Sequence, residues 1–405
     1  MTDNLVVRMY TIRFGDAILI TVPDRNPSTG KTVTRRILVD VGNAPKVAGS
    51  GEGGSDEVFE AVVGDILDQL DGHPLDLYVM THEHLDHAQG LFYASTKLPA
   101  LDLARRLEVR HVWLTGSADP HYYDDDKHPE AKKQLDAFQQ MYHRVAALMA
   151  DRPTAATRLL AEMLANNDPT KTRQCVEYLR TLNPAKTHYI HREAKLRGTH
   201  PFREAKLSVW APEEDTAEYY GRFLPLDAGA VPVPPEPVAG RGARRRTQPA
   251  DPEPPPGVDV GAFLRLVEAR RGGIVDNLLA IDKAANNTSI VFALEWRGWR
   301  LLFAGDAEVR SWKTMAREGV LKPVHFLKVS HHGSHNGTPA DDIFEAILPA
   351  TAPDGRPREA AISTWEHTYS GIPHAPTNAR LAERATVHST LDRPDDLFYE
   401  VRFPG

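Results

Sequence analysis

The run Thr81-His82-Glu83-His84-Leu85-Asp86-His87 constrains this chain more than any other feature, because it places three imidazoles and the carboxylate of Asp86 within six residues, directly after an apolar segment. Alternate residues of an extended segment point the same way, so His82 and His84 can converge on one ion. Asp86 and His87 lie past the turn and can face a second ion. Imidazole and carboxylate together suit zinc, with manganese or iron as substitutes. The sequence therefore predicts a centre for two divalent metal ions.

The HxHxDH pattern of residues 82–87 resembles the hallmark of the metallo-β-lactamase superfamily, whose members are αββα sandwiches with metals at one edge of two facing sheets. Further segments follow in the order of that family, over roughly residues 5–95 and 286–400: Arg13–Ile20, Ile37–Asn43, Asn287–Val291, Leu301–Asp306 and Leu327–Ser334. This succession is similar to the metallo-hydrolase domain of the ComEC competence proteins and its relatives, including phosphocholine esterases. The resemblance implies an α/β fold of two facing mixed β-sheets flanked by helices, with a helical insertion.

The same resemblance assigns roles to individual side chains. Asp306 follows a strand-like run and a glycine, which lets the backbone turn tightly, and in the family this aspartate bridges both metals. His331 follows another apolar run and corresponds to the last ligand of the second metal, which leaves His332 free to face substrate. The implied metal ligands are His82, His84, Asp86, His87, Asp306 and His331.

Two divalent ions, zinc first and manganese second, are the implied cofactors. A hydroxide shared between them is a strong nucleophile near neutral pH, and Asp86 and Asp306 would hold it as well as the metals. His332 and His374 are the candidates to protonate or polarise the substrate. His367 is a weaker candidate for the same task.

One ligand of the first metal is missing from its usual place. Many superfamily members supply a third histidine just after the strand that here reads Lys206 to Ala211, but this chain has Pro212 there, as ComEC-like proteins do. Either a histidine from the insertion or water alone completes the site. The sequence leaves the choice open among His121, His188, His191 and His200.

Composition sets outer bounds on the protein. A chain of 405 residues with 41% hydrophobic content can bury a substantial core. It has no run of the ~18–20 apolar residues that span a membrane, and Met1–Asn4 does not resemble the start of a signal peptide, so cytoplasm is the default compartment. Cys175 is alone and excludes an internal disulfide. The net charge of −7 argues weakly against a nucleic-acid partner.

The chain divides into two matched halves, 1–115 and 259–405, with other material between them. Residues 116–200 are expected to form a mainly helical insertion over the active-site edge, including an amphipathic helix over 129–150, which serves either substrate selection or dimerisation. A return strand and connection follow at 201–227. Residues 228–258 are rich in Pro and Gly and are predicted to be disordered, and their arginines at 241–246 either contact an anionic polymer or remain solvated.

The carboxy-terminal part is predicted to contain a helix over 377–384 and a final strand over 397–403 that closes the second sheet. The function favoured by the sequence is metal-dependent hydrolysis of phosphodiesters, either nucleic acid or a small phosphoester. One alternative is hydrolysis of a lactone, thioester or amide on the same fold. Another is a partner-dependent effector of a multi-protein system, with the helical insertion and the basic loop as docking surfaces.

Overall fold

A computed structural model of the chain describes residues 4–26, 28–44, 55–124, 126–150, 164–219, 274–352, 354–366 and 371–405. The predicted loop at 228–258, with its arginine cluster, lies outside the described residues, and so does His367. Within the described ranges the strands form two sheets, and helices cover the outer face of each sheet.

The first sheet has seven strands in the order β13-β1-β2-β3-β4-β5-β6. Pairing is antiparallel from β13 to β3 and parallel from β3 to β6, so the sheet is mixed. The two inner strands of its parallel half, β4 and β5, are short and buried on both faces, as is usual for parallel sheets. The strands are β1 (Leu5–Tyr10), β2 (Ala17–Arg25), β3 (Thr32–Val41), β4 (Leu77–Met80), β5 (Val112–Thr115), β6 (Thr187–Ile190) and β13 (Phe398–Phe403).

The second sheet has six strands in the order β12-β11-β10-β9-β8-β7, antiparallel from β7 to β9 and parallel from β9 to β12. Its hairpin between β8 and β9 turns through Arg297 and Gly298, which have φ angles of 47° and 84° and suit the two-residue turns that join twisted strands. The strands are β7 (Lys206–Ala211), β8 (Val291–Trp296), β9 (Trp299–Phe303), β10 (Phe326–Lys328), β11 (Glu359–Ile362) and β12 (Thr386–Ser389).

The two sheets face each other across a core of alternate strand residues, among them Val7, Ile20, Phe292 and Phe303. Helices α1 (Ser55–Leu70), α2 (Leu85–Lys97) and α5 (Pro169–Thr181) pack on the outer face of the first sheet, and the short α3 (Leu103–Arg106) adds Leu103 to the same cluster. Helices α7 (Val309–Arg317), α8 (Asp341–Ile347) and α9 (Ala375–Ala382) cover the second sheet. Helices α4 (Pro129–Ala150) and α6 (Ile274–Asn287) contact each other beside these layers. The prediction of two mixed sheets flanked by helices is confirmed.

Two details differ from the expected arrangement. The final strand does not close the second sheet, since β13 pairs antiparallel with β1 at the edge of the first sheet, where Tyr399, Val401 and Phe403 point into the core between the sheets. The segment expected to be a mainly helical insertion, 116–200, ends in β6, which pairs in parallel with β5 and so belongs to the first sheet. No described helix combines the length and the apolar character that crossing a membrane requires.

Candidate metal centre

Most of the predicted site residues lie where parallel strands of both sheets end. The run from His82 to His87 follows β4, Asp306 follows β9, and His332 follows β10. The carboxyl ends of parallel strands meet at one edge of a sheet, which is where α/β proteins usually bind ligands. Gly305 makes the turn before Asp306 with φ of 51°, in the left-handed region that favours glycine.

Five of the predicted ligands, together with His332, form two buried groups, and within each group the ligand atoms lie within 4.8 Å of one another. His82, His84 and Asp86 make up the first group, and Asp86, His87, Asp306 and His332 make up the second. These groups can hold metal ions. Asp86 is common to both groups, whereas the resemblance implies that role for Asp306, which here belongs to the second group alone.

The second group brings two imidazole nitrogens against two carboxylates. The Nε2 atom of His87 is 3.2 Å from Oδ2 of Asp306, and Nε2 of His332 is 3.3 Å from the same oxygen. The distance from Nε2 of His332 to Oδ2 of Asp86 is 3.5 Å. Both Nε2 atoms are buried and make no hydrogen bond of good geometry. Nitrogens and carboxylate oxygens that converge in this way form the donor set of a metal site.

In the rings of His87 and His332, the other nitrogen, Nδ1, donates a hydrogen bond to the protein. Nδ1 of His87 donates to Oδ2 of Asp40 at 2.8 Å, and Nδ1 of His332 donates to the carbonyl oxygen of Ser363 at 2.8 Å. Because a carboxylate and a carbonyl can only accept, Nδ1 carries the proton, and in the neutral ring the lone pair lies on Nε2. That lone pair faces the carboxylates of the second group. Acceptor-held histidines of this kind are typical of metal sites.

The first group has the same construction. Thr81 donates its hydroxyl to Asp40 at 2.7 Å and can therefore accept from Nδ1 of His82 at 3.1 Å, which leaves Nε2 of His82 buried without a hydrogen-bond partner. Nε2 of His84 lies 2.7 Å from the amide oxygen of Asn167, which leaves Nδ1 as the available nitrogen. Each of these two rings thus has one nitrogen fixed by the protein and the other available to an ion.

The pKa shifts of the second group show that it attracts positive charge. Burial alone lowers the pKa of His332, but Asp306 and Asp86 outweigh burial and raise this pKa to about 9. Burial alone would also lower the pKa of His87, but Asp306, Asp86 and Asp40 raise it well above its usual value. Burial alone raises the pKa of Asp86 and of Asp306, yet the two imidazoles hold both below their usual range. Protons and metal ions would therefore compete for this group.

Charge balance at the centre also favours cations. Asp16, Asp40, Asp86 and Asp306 are each at most 2% exposed. Among the described residues the permanent cation that contacts them is Lys328, which is fully buried, pairs with Asp16 and lies 3.6 Å from Oδ1 of Asp306. Four carboxylates against one ammonium leave an excess of negative charge, which protons on the imidazoles or divalent ions must balance.

His332 lies in the group where the sequence predicts His331. Both adopt left-handed backbone conformations, with φ of 49° and 52°, inside the short turn Ser330–Gly333. Such angles are rare for residues with a side chain and cost about 1–2 kcal/mol each. They direct His332 to the second group and His331 to a separate group with Asp282 and Glu308. The structure thus brings His332, and not His331, within reach of the second group.

None of the four candidates for the missing ligand belongs to the groups found among the described residues. His121 is exposed and pairs with an aspartate, and His191 pairs with a glutamate. His188 stacks on another histidine ring, and His200 packs its ring against aromatic residues of the core. His374 is also outside the groups, since its Nδ1 lies 2.9 Å from the Thr377 hydroxyl at the start of α9.

Two asparagines from the insertion reach the centre, and neither is among the site residues predicted from the sequence. Asn166 accepts from the backbone N–H of Asp86 and donates to its Oδ1, both at 3.0 Å. Asn167 contacts His84 as described above. Asp40 and Lys328 were likewise not predicted, but charged residues within apolar strand runs are a signal that could have found them.

A cavity of about 420 Å³ extends from His84 and Asn167 between the helices α4 and α5. Its lining carries both signs of charge, including Arg173 and Arg180 on one hand and Glu83 on the other. Burial raises the pKa of Glu83 to about 7. The insertion therefore forms a wall of the space next to the first group. Another cavity, of about 450 Å³, lies at the opposite strand ends and contains no residue of either group.

No protein-family model matches the sequence, and a search among curated proteins finds no significant relative.

Proposed function

We propose that the protein is a metal-dependent hydrolase of the metallo-β-lactamase superfamily that acts on phosphodiesters. The observation that carries this proposal is the set of four imidazoles that each keep one nitrogen on a protein acceptor or amide and leave the other for an ion. The order of the sequence motifs and the two-sheet architecture support it. His82, His84 and Asp86 would hold one ion, and Asp86, His87, Asp306 and His332 a second; zinc fits this donor set best and manganese also fits.

Bound divalent ions would lower the pKa of water and neutralise charge that develops on phosphoryl oxygens. The protein itself fixes the orientation of the ligands. Asp40 sets the proton on Nδ1 of His87, and Ser363 does the same for His332. Asn167 positions His84, and Lys328 holds Asp16 and Asp306 in place. Loss of one such supporting contact typically lowers metal affinity or activity by about 10- to 100-fold.

The cavity beside His84 supports the proposal of a small substrate. Its volume of about 420 Å³ lies within the range of small-molecule pockets, roughly 300–1,000 Å³. Arg173 and Arg180 in its wall can bind a phosphate group, because guanidinium donors match phosphate oxygens. The substrate that fits is a small phosphodiester or the end of a single strand, and the net charge of −7 does not favour extended duplex.

The test is turnover of bis-p-nitrophenyl phosphate and of a short single-stranded DNA after chelation and reloading with zinc or manganese. We expect metal-dependent cleavage that is lost in His84→Ala and Asp86→Ala and retained in His121→Ala, a matched histidine on the exposed surface. Turnover of lactones or thioesters with intact phosphodiesters would favour the other hydrolase class. Activity that requires an added protein would favour the partner-dependent effector.

A further inference from the structure

A third group of metal-ligand side chains lies next to the centre and takes no part in it. Asp282 of α6, Glu308 before α7 and His331 of the turn after β10 bring ligand atoms within 4.8 Å of one another. Nδ1 of His331 is 3.6 Å from Oε1 of Glu308. Burial and the charge of Asp282 raise the pKa of Glu308. The exposed Lys283, also on α6, lowers this pKa by less.

Asn286 gives an independent indication that this group binds a ligand. Its side chain is fully buried one helical turn after Asp282, and its Nδ2 lies 3.2 Å from Oε1 of Glu308, 3.4 Å from Oδ2 of Asp282 and 3.4 Å from Nε2 of His331. One amide nitrogen is thus shared by two carboxylate oxygens and a ring nitrogen, while Oδ1 of Asn286 has no hydrogen-bond partner. Nδ1 of His331 is also buried without one. Buried polar atoms in proteins are rarely left in this state.

The backbone supports the same conclusion. Two successive left-handed residues in the turn Ser330–Gly333 send His332 to one group and His331 to the other. Strained conformations of this kind persist where the surrounding structure requires them, which is most often at functional sites.

We propose that Asp282, Asn286, Glu308 and His331 form a third cation site, which takes one divalent transition-metal ion. Two carboxylates and one imidazole are the donors that zinc and manganese prefer. Rotation of the Asn286 amide about its Cβ–Cγ bond would turn Oδ1 to the ion as a fourth donor. Nδ2 would then no longer be shared among its three neighbours. The site goes beyond the proposed function and does not depend on the substrate.

The third site is connected to the first group through one side chain. Asn167 donates from Nδ2 to Oδ1 of Asp282 at 3.2 Å and presents its oxygen to Nε2 of His84 at 2.7 Å. An ion that fixes Asp282 would therefore also fix the orientation of Asn167 and, through it, the ring of His84. Asp282, Asn286 and Asn167 come from α6 and from the insertion, so the ion would hold these segments to the edge of the sheets.

The primary test counts bound ions in the full chain by equilibrium titration with Mn²⁺, with free Mn²⁺ measured by its paramagnetic resonance signal. The expected result is one ion fewer in Glu308→Gln than in the wild type. Glu345→Gln, an exposed glutamate on α8, is the matched control and should bind as many ions as the wild type. Equal counts in Glu308→Gln and wild type would overturn the proposal. A wild type with a single ion that Glu308→Gln loses would keep this site and remove the two-ion centre instead.

A second variant keeps the test decisive if Glu308→Gln does not fold. Asn286→Asp adds a charged oxygen donor, which should strengthen binding of this one ion by at least about tenfold, because affinity rises with the charge of the ligands. If Asn286 serves only as a hydrogen-bond donor to its neighbours, the same change removes the donor, adds repulsion and leaves metal affinity unchanged. Unchanged or weaker affinity in Asn286→Asp would therefore contradict the proposal.

Discussion

The pKa of His332 gives a quantitative prediction for metal binding. The neighbouring carboxylates raise this pKa from 6.5 to about 9 in the metal-free protein, and a shift of that size corresponds to about 3 kcal/mol in favour of the imidazolium. An ion that binds through Nε2 must displace this proton. Metal affinity should therefore fall as the pH falls below 9, by about tenfold per pH unit for each proton displaced.

The change in metal affinity over an accessible pH range follows from the number of protons displaced. Between pH 8 and pH 6, loss of the His332 proton alone predicts an affinity change of about 100-fold. His87, whose pKa the neighbouring carboxylates also raise, would make the pH dependence steeper if its proton is displaced as well. The assay is calorimetric titration with zinc in two buffers of different ionisation enthalpy, which measures the protons released, with a competing chelator to set the range. His332→Gln removes one titrating group and should make the pH dependence correspondingly shallower.

The metal-free protein should show the opposite trend in stability. A pKa that is raised in the folded state adds stability that is fully present below the unfolded value near 6.5 and is lost as the pH rises through 9. The melting temperature without metal should therefore fall over this window, and added zinc should restore it. Zinc affinity that is equal at pH 6 and pH 8, with no proton release, would refute the assignment of His332 as a ligand.

Three further perturbations test separate parts of the site. His332→Ala should lower the metal content of the second group while His331→Ala spares it, as measured by elemental analysis with turnover in parallel. Lys328→Met should destabilise the metal-free fold by about 3–5 kcal/mol in denaturant titrations, because it leaves buried carboxylates without their cation. Burial raises the pKa of Glu83 to about 7, so the folded protein loses stability as this carboxyl ionises. Glu83→Gln should therefore raise the melting temperature above pH 7 and change it little below pH 4.5.

Much of the fold could be predicted because the motifs have a fixed relation to strand ends. The run at 82–87 follows β4, and Asp306 follows β9, so an apolar strand and the polar residues after it predict both the element and the edge where the site lies. The amphipathic pattern over 129–150 coincides with α4. In each of these cases the information is local, within one element and the residues that follow it.

The differences arose where the outcome depends on distant contacts. The sequence cannot distinguish the adjacent His331 and His332, because their placement depends on two left-handed backbone conformations in one turn. The final strand could have joined either sheet by its alternation, and only its pairing with β1 decides. Asn167 reaches His84 across 83 positions of the chain, and no sequence periodicity encodes that contact.

The supporting residues also explain why this site and this fold depend on each other. Asp40 at the end of β3 accepts from Thr81 and from His87, so one buried carboxylate orients the histidine run that follows β4. Burial alone raises the pKa of Asp40, and the neighbouring His87 counters that effect. Lys328 of β10 ties the second sheet to Asp16 before β2 of the first sheet. The excess of buried carboxylate therefore lies between the two sheets, and cations that neutralise it would stabilise their association as well as supply the chemistry.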